Sequence, residues 1–185
     1  MDIQAAKAAI PLPSAEVNLG GTSTSEVQFL TASAQNNVAA GQPLVCYFPG
    51  SGILNRRLFR VRCGGRVKGG SAASNFTGSV YFGVSSTVAS NTKILTTGAV
   101  ALAANQGQWN IEGRLSYDST SGIIEGIQSG WVLNNAVAQV VITNTVSTTT
   151  LTSESTSNGL TVTATFSAGQ AANAAYVDWF EIIPE

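Results

Sequence analysis

From Glu26 onward the sequence is cut by clusters of Gly, Pro, Asn and Ser roughly every 8–12 residues, the spacing of short strands and tight turns. Between the breaks, apolar and polar residues alternate with a period of two, which sends successive side chains to opposite faces of a strand. After a possible first turn near the N-terminus, no stretch carries a convincing helical pattern. Charged residues make up only 10% of the chain, too few for solvated helices, whose surfaces are normally rich in Glu, Lys and Arg. About nine or ten strands are expected, and with them an antiparallel sandwich or barrel. The 185 residues suffice for one domain with a sizeable core. The expected fold is all-β: an antiparallel β-sandwich of jelly-roll type over 26–185, with an extended N-terminal arm over 1–25. No repeat of 20–50 residues points to a propeller or solenoid.

Strands are expected at 26–31, 42–48, 54–67, 75–84, 93–102, 108–117, 123–133, 136–145, 160–166 and 176–183, with a threonine-rich stretch at 147–157. The clearest is QWNIEGRLSY at 108–117, with Trp109, Ile111, Gly113, Leu115 and Tyr117 on one face and Asn110, Glu112, Arg114 and Ser116 on the other. The turn after it, Asp118 to Gly122, returns the chain as a hairpin. Asn158-Gly159 is the most specific two-residue hairpin signal in the chain. In the arm, Pro11 and Pro13 force an extended path. Ile10, Leu12, Val17 and Leu19 give that path apolar surface to bury. It reads either as a disordered tail or as an arm that orders on a neighbouring subunit.

The stretch LNRRLFRVRCGGRV at 54–67 is the sharpest candidate for function. Alternation puts Arg57, Phe59, Val61 and Cys63 on one side and Arg56, Leu58, Arg60 and Arg62 on the other. Gly64-Gly65 then reads as a bulge or bend. Arg56, Arg57, Arg60, Arg62 and Arg66 form the candidate interface. A protein partner fits them best, because the planar guanidinium fork meets carboxylates bidentately. A solvated outer face, or pairing with Asp178 and Glu181 inside one subunit, would explain the same residues. Nucleic acid fits less well: no interleaved aromatics follow the basic residues, and the net charge of -1 supplies no attracting field.

Catalysis finds little support. Without histidine, neither a Ser-His-Asp nor a Cys-His arrangement exists, and the commonest zinc ligand is missing. Glu112, Asp118 and Glu125 are the only carboxylates placed to act as a glycosidase pair, and they read more simply as surface acids. GGRVKGG lacks both the spacing of a phosphate-binding loop and a following helix. No cofactor is expected. Trp109, Trp131 and Trp179 read as core residues, with Tyr117-Asp118 and Gly130-Trp131 the nearest matches to a sugar-binding site. Cys46 and Cys63 read as small buried residues; a disulfide between adjacent strands is the alternative. MDIQAAKAAIPLP is too weakly apolar for a signal peptide, and no apolar run approaches a bilayer span. Cytoplasmic synthesis without membrane contact is expected.

The run RRLFRVRCGGRVKGG, followed by NFTGSVYFGVS and QWNIEGRLSYDSTSGIIEG, resembles strand signatures in small β-sandwich structural proteins of tailed bacteriophages. The capsid decoration, or head-stabilising, proteins are the most similar. The resemblance covers roughly 54–130. It implies a jelly-roll homotrimer on the outer capsid surface of a virion, made in the host cytoplasm and bound to capsid protein. The arm would then run from Ile10 to Leu19 and the arginine strand would lie at an interface. Two other classes share such a fold: a tail or baseplate protein that binds host-surface glycans, and a β-sandwich carbohydrate-active enzyme.

Overall fold

The computed structural model describes residues 8–10, 15–17, 24–29, 45–47, 58–70, 74–83, 88, 91–102, 106–118, 123–134, 137–150 and 159–185. Its strands are β1 (Ala8–Ile10), β2 (Ala15–Val17), β3 (Val27–Gln28), β4 (Val45–Tyr47), β5 (Leu58–Lys68), β6 (Asn75–Gly83) and β7 (Thr92–Thr96). They continue with β8 (Val100–Ala101), β9 (Gln106–Asp118), β10 (Ile123–Asn134), β11 (Val137–Thr150), β12 (Gly159–Phe166), β13 (Ala174–Val177) and β14 (Trp179–Pro184). An eight-stranded sheet runs β1-β14-β5-β9-β10-β11, with β13 beside β5 and β2 beside β13. A six-stranded sheet runs β3-β12-β6-β7, with β4 on β12 and β8 on β6. Every pairing among these strands is antiparallel. The two sheets form an all-β sandwich.

Alternation decides which side chains fill it. From the large sheet come Phe59, Val61, Cys63, Trp109, Ile111, Leu115, Val177, Phe180 and Ile182, all buried. Phe76, Val80, Leu95, Leu160, Val162 and Phe166 answer from the small sheet. Trp109 is fully buried and meets Phe29 and Phe76 at centroid distances of 6.3 and 5.5 Å. Cys63 is a free thiol, and burial raises its pKa, so it stays protonated and inert. The side chain of Cys46 lies outside the described residues.

Several expectations meet a different geometry. The 54–67 strand does not break at Gly64-Gly65: β5 pairs with β9 without interruption from Leu58 to Lys68. The irregularity sits on the facing edge, where Ala175 pairs with Val67 but Trp179 pairs with Gly64, one residue too many for a regular ladder. The expected 93–102 strand is split into β7 and β8, with Gly98 at a φ of 65° between them. Gly159 opens β12, whose partners among the described strands are β6, β3 and β4, so it does not fold β12 back on β11. The described arm residues, β1 and β2, lie along β14 and β13 of their own chain.

The sheets are also joined by a polar device. Gln128 of β10 points inward and is only 7% exposed. Its Oε1 accepts from the Thr96 amide and its Nε2 donates to the Thr96 carbonyl, each at 3.0 Å. One amide thus satisfies backbone groups at the end of β7, an edge strand of the small sheet among the described strands.

Candidate interaction surface

The outer face of the large sheet carries the charged residues of β5 and its two neighbours. Register sets their grouping. Arg62 stands opposite Glu181 on β14 and Glu112 on β9, while Arg60 stands opposite Arg114. Arg62 Nη1 donates to Glu181 Oε1 at 3.1 Å, and Arg62 Nε lies 3.1 Å from Glu112 Oε2, an ionic contact not aligned as a hydrogen bond. Arg60 and Arg114 would repel as a directly opposed like-charge pair. The Glu185 carboxylate lies between them, 2.5 Å from Arg60 Nη2 and 2.5 Å from Arg114 Nε. These bonds hold the Glu185 carboxyl below its ordinary pKa, the Arg60 bond first, and raise that of Arg60. The lowered carboxyl pKa gives the bridge a definite sign: it is present above the ordinary carboxylate range and lost as pH falls through the lowered value. Arg66 grips Asp178 with two bonds of 3.1 and 3.0 Å and lies 4.4 Å above the Tyr176 ring.

The ladder is therefore compensated within its own chain. Of the partners named from the sequence, Glu181 takes Arg62 and Asp178 takes Arg66. Glu112, Arg114 and Glu185 were not anticipated as members, because only the strand order brings them beside β5. Arg56 and Arg57 lie outside the described residues, as do Leu12 and Leu19 of the arm. Ile10 and Val17 lie in β1 and β2. Around the ion pairs stand exposed apolar side chains, Leu58 at 44% and Ile127 at 60%.

Of the carboxylates weighed for glycoside hydrolysis, Glu112 stands apart while Asp118 and Glu125 share one hollow. Glu112 is engaged by Arg60 and Arg62. Glu125 stands opposite Ser116, four positions along β9 from Glu112, which is roughly 13 Å at the rise of a strand. Glu125 and Asp118 line a shallow hollow with Ser116 and Ile123, open to solvent. A different row has more character: register aligns Trp179, Gly64, Asn110 and Trp131 across four strands of the outer face. Trp109, by contrast, is wholly inside, and Trp131 and Trp179 are partly exposed rather than core.

On the small sheet a second cluster escaped the sequence reading. Glu26, next to β3, accepts from the Tyr81 hydroxyl at 2.5 Å and the Thr163 hydroxyl at 2.6 Å, with Lys93 Nζ at 3.5 Å. Burial, and then the Glu26 carboxylate, push the Tyr81 hydroxyl above its ordinary pKa, so it remains a donor. Since β3 has only two register pairs to β12, this clamp and the buried Phe29 hold the segment in place. Glu26→Ala should lower stability by ~2 kcal/mol, because it strands two hydroxyl donors, one of them on the fully buried Thr163. Urea melts would measure the loss; an unchanged midpoint would mean the clamp is ornamental.

No family model matches this chain, and no curated protein matches it either.

Proposed function

We propose that this protein is a non-enzymatic structural component that works by laying the outer face of its large sheet on another protein. The capsid decoration proteins of tailed phages, which its strands resemble, give the concrete form: a jelly-roll sandwich on the capsid surface of a virion. The observation that carries the reading is the row of paired arginines bordered by exposed Leu58 and Ile127. Guanidinium groups already fixed by neighbouring carboxylates lose little rotamer freedom on docking, and arginine beside apolar residues is the composition of interface cores. The crossings between sheets after β5, β8 and β11 support the jelly-roll form; the β9-β10-β11 meander within one sheet departs from it.

Replacing Arg60, Arg62 and Arg66 together with serine should reduce co-sedimentation with empty capsids at least tenfold. Stability should fall only modestly, because the three side chains are 38%, 40% and 53% exposed and solvent screens pairs of that kind. Undiminished binding by the triple variant would remove the arginine face from the contact.

Glycan binding is the second reading, favoured by the Trp179–Gly64–Asn110–Trp131 row, where two partly exposed indoles flank an amide. Titrating the chain with neutral hexose oligomers should then quench tryptophan emission, and Trp131→Ala should abolish the quenching. No change at millimolar sugar rules this reading out.

A further inference from the structure

We propose that Arg60 and Arg114 form an anion-binding site, closed by Glu185, that opens to take an acidic side chain of the partner protein in exchange. The inference rests on the docking reading above and names the partner's chemistry at that face. Register places the two arginines directly opposite each other on β5 and β9, an arrangement that is unfavourable unless an anion lies between them. Glu185 supplies the anion, with one oxygen for each guanidinium. Arg60 Nη2 donates to Oε1 and Arg114 Nε to Oε2, each at 2.5 Å, and Arg60 Nε adds a bond of 3.0 Å to Oε1. What the pair recognises is thus two oxygens on one planar group, which any carboxylate presents.

The site also keeps positive charge while Glu185 is in place. Two guanidiniums share one carboxylate here, whereas Arg62 lies between Glu112 and Glu181, and Arg66 has Asp178. Glu112 approaches Arg60 at 3.5 Å but lies closer to Arg62, at 3.1 Å. Arg114 is 54% exposed, and its bond to Glu185 uses one of its five N–H donors. An incoming acid therefore meets donors that face solvent before Glu185 has left.

No strand bond has to break for the exchange. The Glu185 amide bonds the Leu58 carbonyl at 2.9 Å, so its backbone stays on β5 while its side chain turns away. One carboxylate then replaces another at the same donors, and the released one is hydrated. What tips the balance is the border of the pair. Leu58 lies two positions along β5 from Arg60, and Ile127 stands opposite Arg114, exposed by 44% and 60%. Apolar side chains on either side of the partner's acid would cover both, which Glu185 does not do. The occupant is accordingly an acidic residue with apolar neighbours. Because Glu185 competes for the same donors, it lowers the partner's apparent affinity by the fraction of time the site stands open. Removing it should strengthen docking, the opposite sign to removing the arginines.

Two measurements on the full chain test this. Inorganic phosphate stands in for the acid and needs no partner. Against chloride at equal ionic strength it should stabilise Glu185→Gln to heat, with an affinity roughly tenfold tighter than for the natural chain, and adding Arg114→Ser should remove the gain. In co-sedimentation with empty capsids, Glu185→Gln should bind roughly threefold more tightly and Arg114→Ser alone roughly threefold more weakly. A Glu185→Gln variant with no phosphate-specific gain overturns the site, and one whose capsid binding is unchanged or weaker overturns the exchange. Loss of capsid binding in the Arg60, Arg62 and Arg66 variant beside an unchanged Glu185→Gln overturns this inference alone. Undiminished binding by that triple variant overturns the docking reading, and the exchange with it. If Glu185→Gln does not fold, Arg114→Ser decides: the expected loss of capsid binding supports the inference, and undiminished binding overturns it.

Discussion

Trp109→Ala is expected to cost ~3–5 kcal/mol, the largest loss of any single side chain here, read as a matching shift in a urea midpoint. Three separate contributions converge on this residue. The indole is fully buried, so its truncation removes apolar contact and leaves a cavity. Its ring packs on Phe29 and Phe76 and lies over Gly78, where an added Cβ would approach its Cζ3 to 3.0 Å, so small-sheet and large-sheet surfaces are shaped to each other at this point. Its Nε1 donates to the Tyr176 carbonyl at 3.0 Å, and the substitution leaves that acceptor without its partner. Trp109→Phe separates the parts: the ring is largely kept and the bond is lost, so ~1–2 kcal/mol is expected. A loss below ~1.5 kcal/mol for the alanine variant would mean that the core closes over the gap and that the indole does not organise the sandwich.

The inward position of Trp109 was legible because a strand has only two faces, and the run from Trp109 to Leu115 assigns them without ambiguity. The same rule placed Phe59, Val61 and Cys63 inside and Arg60 and Arg62 outside. What alternation does not carry is which strands are neighbours. Glu112 reaches Arg62 across the β5–β9 pair and Glu185 reaches Arg60 from the end of β14, so neither partnership follows from local pattern. Gln128 shows the limit more sharply. A lone glutamine in a Gly-rich strand is an ordinary surface residue until the other sheet brings the bare end of β7 against it. Asn158-Gly159 has the chemistry of a tight hairpin, yet β12 finds its partners in the other sheet, because burial of Leu160, Val162 and Phe166 outweighs a local turn preference. The arginine face was likewise visible as a face, while its internal neutralisation depended on long-range register.

Gly65→Val is expected to cost ~3 kcal/mol, at the upper end of overpacking penalties, and Gly65→Ala somewhat less. Replacing glycine in a strand interior ordinarily gains stability, since glycine there is entropically costly and has nothing to pack. The sign is reversed here because backbone, rather than side chain, occupies the space. A Cβ on Gly65 would press on the Tyr176 carbonyl oxygen and come within 2.8 Å of the Asp178 amide nitrogen. Those atoms belong to Tyr176 of β13 and to Asp178, the residue between β13 and β14, whose amide bonds the Gly64 carbonyl at 2.8 Å. Backbone of this kind cannot swing away as a side-chain tip would. It can only shift the closing strand, and that shift would carry Asp178 away from Arg66 and Tyr176 away from the Trp109 indole. The glycine pair that looks like an interruption of the arginine strand is thus the condition for its outer face, because it lets the bulged strand approach closely enough to set the ion pairs. Thermal melts of Gly65→Ala and Gly65→Val measure the cost, and an alanine variant as stable as the natural chain would show that the bulge is free to move and that the register of the ion pairs is set elsewhere.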